Sequence, residues 1–219
     1  MDFTAQLFPV IVPWAANALA LLILAGLVWR VPWRRLDSGA ASAWMGAGVM
    51  IMVLWMLNGT YKPGLSFHLL GMAVLTLMMG TRLALLASAL VVLATWGAGR
   101  GAAQTLGLNW MVCGLTPVCV VTLMLRLAQR YLPANLFVYV FLNAFLAGGL
   151  SMIAASLAGC GLLGVSGVYT WKMLSGEALP YYFLLAWSEA FLTGLMMVIL
   201  VVYRPGWVAT FDDARYLSD

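Results

Sequence analysis

The sequence predicts an all-α integral membrane protein with about seven transmembrane helices, its N-terminus outside and its C-terminus in the cytoplasm. Of its 219 residues, 64% are hydrophobic and only 8% are charged, and the mean hydropathy is +1.00. Soluble domains carry about 25% charged and roughly 45–50% apolar residues. We therefore expect a single transmembrane domain, residues 1–219, with a soluble cytoplasmic tail from about residue 204.

Turn-forming and charged residues divide the chain into seven apolar segments. Their approximate bounds are residues 7–29, 41–57, 65–79, 83–96, 106–125, 135–158 and 181–203. The third and fourth are short, because about 15 helical residues rise only about 22 Å. The third segment begins beside the only histidine, His68, which predicts an imidazole at the wall or mouth of an outward-facing cavity. Residues 159–180 are glycine-rich and predict an outer loop.

The basic residues lie mostly at one end of the predicted helices. Eight fall on the predicted inner side and three on the outer side: Arg30, Arg34, Arg35, Arg82, Arg126, Arg130, Arg204 and Arg215 inside, and Lys62, Arg100 and Lys172 outside. This bias predicts the orientation. The net charge of +4 therefore does not indicate a nucleic-acid partner, and Trp and Tyr residues near the helix ends predict contact with membrane lipid.

Polar side chains inside a membrane cost free energy, so each is expected to have a structural or functional role. Glu189 is the only acidic residue within a predicted helix, Thr193 follows it on the same helical face, and Asn143 lies in the sixth segment. We expect this face to point into the bundle. Two interpretations of Glu189 stay open: a structural hydrogen bond or ion pair, and a role in lining a substrate path or coordinating a cation.

Four polar groups from separated parts of the chain are expected at one depth on the outer side. They are the Met1 amine, the Asp2 carboxylate, the His68 imidazole and the Asn109 amide. Such nitrogen and oxygen donors suit Ni, Co, Cu or Zn better than Mg or Ca, so they form a candidate metal site. The alternative for His68 is an interfacial imidazole that bonds a loop carbonyl.

The sequence contains no pattern that predicts an enzyme. A phosphate-binding GxxxxGK[ST] loop is absent from the sequence, so ATP hydrolysis by this chain is not expected. The single histidine also has no acid–base partner at a recognisable spacing.

Three stretches carry a resemblance to a known family. They are "SFHLLGMAVLTLMMGTRLALLASALVVL" (residues 66–93), "QTLGLNWMVCGLTPV" (104–118) and "SEAFLTGLMMVILVVYRPG" (188–206). In order and spacing they resemble the CbiM/NikM family, the substrate-binding permease component of energy-coupling factor (ECF) cobalt and nickel transporters. The resemblance covers about a third of the chain and implies an ECF S-component-like fold.

The resemblance also implies a function and partners. It implies capture of a divalent transition metal ion as substrate, in a bacterial inner membrane, beside a transmembrane coupling subunit and two cytoplasmic ATPases. The family site is implied to use the N-terminal amine, a histidine at position two and the histidine of the third span. His68 matches the last, but Asp2 stands at position two. The alternative is therefore a non-transporting assembly or interaction subunit on the same scaffold.

Overall fold

The computed structural model describes residues 2–33 and 38–216. Within these residues, six helices are long and apolar enough to cross a membrane: α1 (Ile11–Arg30), α2 (Ser38–Met56), α3 (Met72–Gly97), α4 (Ala103–Tyr131), α5 (Leu136–Val165) and α6 (Trp171–Tyr203). Met1, Arg34 and Arg35 lie outside the described residues. Helices form because every backbone polar group must be satisfied internally in hydrocarbon.

Helix α3 contains residues 72–79 of the third predicted segment and all of the fourth, residues 83–96. Gly80 interrupts it with φ 77° and ψ 165°, a conformation open essentially to glycine alone. Beside this break, Arg82 Nη1 donates to the carbonyl of Arg30 at the inner end of α1. The far end of α3 returns to the outer side, where Arg100 Nη1 donates to Asn58 Oδ1. The chain thus crosses twice between residues 65 and 97, which reconciles six helices with about seven crossings.

The third crossing differs from the predicted short helix. A hairpin of β1 (Gly59–Lys62) and β2 (Leu65–Phe67) leads into it, with Thr60 paired to Ser66. Residues 65–71, the extended segment, contain no helix, and the helix begins only at Met72. Residues 72–79, the short half-helix, complete the crossing. Its eight residues rise only about 12 Å, so the extended segment supplies the remaining depth.

The tail after α6 packs against the inner end of the bundle. A 3-10 turn (Pro205–Trp207) follows α6, and Val208, Phe211 and Tyr216 are buried. The amide of Ala209 donates to the carbonyl of Met78, and Thr210 Oγ1 donates to the carbonyl of Leu77, each at 2.7 Å. The tail therefore caps the C-terminal end of the short half-helix. A short helix α7 (Asp213–Tyr216) ends the described chain.

Helices α5 and α6 pack closely together and extend further outward than predicted. A Cβ on Gly148 would lie 2.9 Å from Thr193 Oγ1, so the glycine permits the close approach. Helix α5 continues to Val165 and α6 begins at Trp171. The predicted outer loop over residues 159–180 was therefore wrong over most of its length, and only five residues, 166–170, separate the two helices.

Candidate metal centre

The N-terminal segment folds back against the outer end of α4. Phe3 is fully buried, and its amide donates to Asn109 Oδ1 at 2.9 Å. Its carbonyl accepts hydrogen bonds from Thr105 Oγ1 at 2.7 Å and from Asn109 Nδ2 at 3.4 Å. The Phe3 and Phe8 rings meet edge to face with centroids 5.5 Å apart. The backbone of residue 3 is therefore held at both its amide and its carbonyl.

His68 lies in the extended segment and is 6% exposed. Its ring packs against Trp55, with centroids 5.1 Å apart, and its Nδ1 lies 3.1 Å from the carbonyl oxygen of Leu69. A carbonyl oxygen only accepts, so this contact requires the proton on Nδ1 and leaves the lone pair of a neutral ring on Nε2. Ligand histidines in metalloproteins use this arrangement, because the second ring nitrogen orients the first.

Asp2, His68 and Asn109 line one cavity of about 30 Å³. A space of this size holds roughly one or two water molecules, which is also enough for a metal ion. Other residues of its wall include Trp55, Asn58, Thr95, Trp96 and Arg100. Three groups separated widely in sequence thus line the same cavity. Met1, the fourth predicted member, lies outside the described residues.

Arg100 adds a positive charge to this wall. Its Nη1 donates to Asn58 Oδ1 at 2.6 Å and its Nη2 donates to the carbonyl of Met56 at 3.2 Å. Burial raises the pKa of the Asp2 carboxyl above its ordinary value, and nearby positive charge, including that of Arg100, acts in the opposite direction. Asp2 therefore balances part of the charge that would otherwise repel a cation.

Because Gly101 has no side chain, it leaves space for the Asp2 carboxylate beside it. A Cβ at position 101 would lie 3.0 Å from Asp2 Oδ1. The backbone there has φ 72°, a left-handed conformation that glycine adopts without steric cost. This wall of the cavity therefore depends on a glycine for both its backbone turn and its clearance.

The extended segment is tied to the bundle by side chains. Glu189 is fully buried, and its Oε2 and Oε1 accept from the amides of Leu70 and Gly71 at 2.8 and 2.7 Å. Tyr182 Oη donates to the carbonyl of Ser66 at 3.0 Å, and Trp55 Nε1 donates to the carbonyl of Leu70 at 3.0 Å. Glu189 thus bonds backbone amides rather than a neighbouring helix or a basic side chain.

The other two predicted polar groups lie within the bundle. Thr193 and Asn143 are each 1% exposed, so the polar face of α6 points inward as expected. Within the described part of the chain, neither Thr193 Oγ1 nor Asn143 Oδ1 has a hydrogen-bond partner. Neither residue lines the cavity that contains His68. The structure therefore separates these two residues from the candidate metal centre.

Sequence reasoning missed several residues of the site. Trp55, Arg100 and Asn58 line the cavity, although the sequence places Arg100 only in an outer loop. The anchoring role of Asn109 was also missed, because nothing in the local sequence shows its bonds to Phe3, 106 residues away. The short third segment was the one available signal, since it predicted a cavity beside His68.

Comparison with known proteins gives the family. Residues 3–207 match the CbiM model, described as the cobalt uptake substrate-specific transmembrane region. The chain belongs to the CbiM family. The three stretches that resemble this family carry His68, Asn109 and Glu189, one residue each. In this CbiM member His68 and Asn109 line the same cavity, and Glu189 bonds the extended segment that carries His68.

Solved structures share the fold of this CbiM chain. One, described as a truncated transition metal transporter, is 19% identical over 93% of this chain and 99% of its own, with a TM-score of 0.78. Another, described as a transition metal transporter, is 20% identical over 91% of this chain and 92% of its own, with a TM-score of 0.75. Curated proteins give no match. Family and fold make the chain a multi-pass membrane component of metal uptake.

Proposed function

We propose that this chain captures a divalent transition metal ion on the outer side as the substrate-binding permease subunit of an ECF-type transporter. The observation that supports this most is the meeting of Asp2, His68 and Asn109 at one small cavity. Cobalt and nickel are the leading substrates because of the family, and copper and zinc are compatible with the same nitrogen and oxygen donors.

We assign the ligands as follows. His68 contributes Nε2, since its Nδ1 lies against the Leu69 carbonyl. Asp2 contributes a carboxylate oxygen, and Met1 contributes its amine. Asn109 belongs to the site as the group that holds Phe3, because its amide oxygen already accepts the Phe3 amide. Within residues 2–33 and 38–216, no cluster of three His, Cys, Asp or Glu side chains could hold the ion alone, so the amine is an essential part of this proposal.

The proposal extends to the setting of the protein. We place it in a bacterial inner membrane, as one transmembrane domain with its tail on the cytoplasmic side. A coupling membrane subunit and cytoplasmic ATPases would complete the transporter and supply the energy, and this chain would catalyse no reaction itself. Membership of the CbiM family supports these assignments.

Arg100 and Asp2 favour one alternative. Asp2 stands where the family resemblance implies a histidine, and the Arg100 guanidinium lies in the wall of the cavity. Both features would weaken a nickel clamp of the kind that the family resemblance implies. A chain that kept the scaffold and lost the metal would serve as an assembly or interaction subunit, and it would co-purify with a membrane complex other than a transporter ATPase.

Metal binding by the purified full chain with a native N-terminus tests the proposal. We expect about one equivalent of Co, Ni, Cu or Zn by elemental analysis after titration, and its loss in His68→Ala. One glycine added before Met1 moves the amine and should also abolish binding. One glycine added after Asp219 is the matched control and should leave binding intact.

The outcomes separate the two functions. Stoichiometric binding that both His68→Ala and the N-terminal glycine abolish supports metal capture and names the metal. Binding that survives both changes overturns the proposed ligands. A chain that takes up none of the four metals supports the interaction-subunit alternative.

A further inference from the structure

We infer that Glu189 is a positioning residue for His68: it holds the backbone that carries the imidazole, from a helix that supplies no ligand. The inference rests on the proposed metal site for its functional meaning. Its structural part, the clamp on the extended segment, stands on observed hydrogen bonds and is tested without metal.

The extended segment needs such a clamp because it lies at membrane depth without helical hydrogen bonds. Non-helical backbone within a membrane is tolerated where protein groups satisfy its amides and carbonyls. Leu65 and Ser66 are 0% and 1% exposed, so the segment is buried in protein. Residues 65–67 pair with β1, and the backbone groups that this hairpin leaves unpaired must bond to other protein groups, such as side chains of neighbouring helices.

Glu189 supplies the only bonds in the described structure that pair a carboxylate with this backbone. One carboxylate oxygen accepts the Leu70 amide and the other accepts the Gly71 amide. These amides lie two and three residues after His68, and they immediately precede the short half-helix. Negative charge at that position also complements the positive end of a helix dipole.

Two further side chains hold the segment on either side of His68. Tyr182 Oη bonds the Ser66 carbonyl, two residues before the imidazole. Trp55 Nε1 bonds the Leu70 carbonyl, and the Trp55 ring packs on the His68 ring. Glu189 and Tyr182 both belong to α6, so this helix fixes the backbone before and after the proposed ligand. Substituting the partner of a metal ligand typically weakens metal binding by about 10- to 100-fold.

The short half-helix has a separate clamp at its other end. Ala209 and Thr210 of the tail bond the carbonyls of Met78 and Leu77. Loss of Glu189 should therefore release the extended segment while the inner half of the crossing stays in place. The effect should be confined to residues 65–71.

Glu189→Gln is the sharpest variant because it preserves size and removes one acceptor. The amide nitrogen then faces a backbone amide, and two donors cannot bond. Thr193→Val is the matched control: it is equally buried on the same helix, and its hydroxyl has no partner among the described residues. Tyr182→Phe is a milder second variant on the same segment and covers the case in which Glu189→Gln does not fold.

Hydrogen exchange in the metal-free full chain tests the clamp. We expect exchange of peptides covering residues 65–71 to rise at least about tenfold in Glu189→Gln and less in Tyr182→Phe. Thr193→Val should match the wild type. Unchanged exchange in both folded variants, or an equal rise in Thr193→Val, would overturn the clamp whatever the metal result.

Co²⁺ titration tests the positioning role. We expect about 10- to 100-fold weaker binding in Glu189→Gln, a changed visible absorption spectrum of bound Co²⁺ and no change in Thr193→Val. Faster exchange with wild-type affinity and spectrum would overturn the positioning role and leave Glu189 a structural clamp. A wild-type chain that binds no metal defeats the proposed function and, with it, the positioning role, while the exchange result still decides the clamp.

Discussion

The two ends of the third crossing are held in different ways. At the outer end, the chain is extended and is bonded by side chains of α2 and α6: Trp55, Tyr182 and Glu189. At the inner end, the chain is helical and is capped by the tail, through the Ala209 amide and the Thr210 hydroxyl. The proposed ligand His68 lies at the non-helical end, directly after β2.

This difference relates backbone regularity to function. A helix satisfies its own amides, so it needs partners only at its termini. An extended chain in a membrane exposes every amide and carbonyl, so its neighbours must bond them individually. The second arrangement places a side chain such as His68 at a position that no regular helix would supply. It also makes that position sensitive to substitutions in distant helices.

The largest expected effect is a difference in stability between the two clamps. Glu189→Ala leaves two buried amides without partners, at about 1–3 kcal/mol each, so we expect a loss of roughly 2–6 kcal/mol in the free energy of unfolding. Thr210→Val removes a hydroxyl bonded to Leu77 and Tyr139, and roughly 1–2 kcal/mol should be lost. Chemical unfolding in detergent micelles measures both.

Metal binding should also distinguish Glu189→Ala from Thr210→Val. Thr210→Val should leave Co²⁺ affinity within about twofold of the wild type, because its bonds lie at the end away from His68. Comparable losses of stability or of affinity in both variants would show that the two clamps act as one unit and that the two ends of the crossing are not held independently.

The next comparison is between two glycines, Gly101 on the outer side and Gly80 on the inner side, and concerns their effects on metal affinity. Gly101 and Gly80 both have positive φ, and an added Cβ would press on Asp2 at the first but meets nothing within 4 Å at the second. Alanine at either site should cost about 1–3 kcal/mol in backbone strain. Only Gly101→Ala should also weaken Co²⁺ binding, by displacing Asp2. A titration of both variants that showed equal affinities would remove Asp2 from the site.

The smallest expected effect is the contribution of Asp2 to the pH dependence of protein stability. Its pKa in the folded, metal-free protein is raised above the ordinary value of 3.8, chiefly by burial. The folded state therefore binds the Asp2 proton more tightly than the unfolded state does. The contribution of this carboxyl to the free energy of unfolding falls as the pH rises from 3.8 through the raised pKa. Asp2→Asn should stabilise the metal-free protein at neutral pH by about 0.2–0.5 kcal/mol, because solvent screens a half-buried carboxyl.

Thermal melting checks this difference. The advantage of Asp2→Asn should disappear below about pH 3.8, where the wild-type carboxyl is protonated in both states. With Co²⁺ present at neutral pH the order should reverse, because only the carboxylate binds the ion well. An Asp2→Asn protein that melts below the wild type without metal at neutral pH would contradict a raised pKa for the Asp2 carboxyl.

Much of the fold was predictable from the sequence. Apolar length alone predicts the membrane helices, and the gap between the predicted segments 65–79 and 83–96 includes Gly80, where the structure interrupts α3. The interior position of Glu189 and Thr193 followed from the cost of polar groups in lipid. The extended segment was not predictable, because its apolar residues fit a buried strand and a buried helix equally well.

The partners of the polar residues were less predictable than the residues themselves. His68, Asp2 and Asn109 stood out in the sequence, yet Asn109 bonds Phe3, and Glu189 bonds amides 119 and 118 residues away. Arg100 was assigned to an outer loop, and its place beside the cavity depends on its bonds to Asn58 and Met56. Such contacts depend on how helices pack, and apolar periodicity does not encode them.

The sequence by itself determined that the chain crosses a membrane repeatedly, which family it resembles and which polar residues needed an explanation. These conclusions follow from composition, local order and the cost of polar groups in hydrocarbon, which are properties of short stretches. Only the tertiary structure decided that His68 lies on extended chain clamped by Glu189 and that the N-terminal segment is anchored by Asn109. Those bonds join residues more than 100 positions apart, and the packing of the helices is what brings them together.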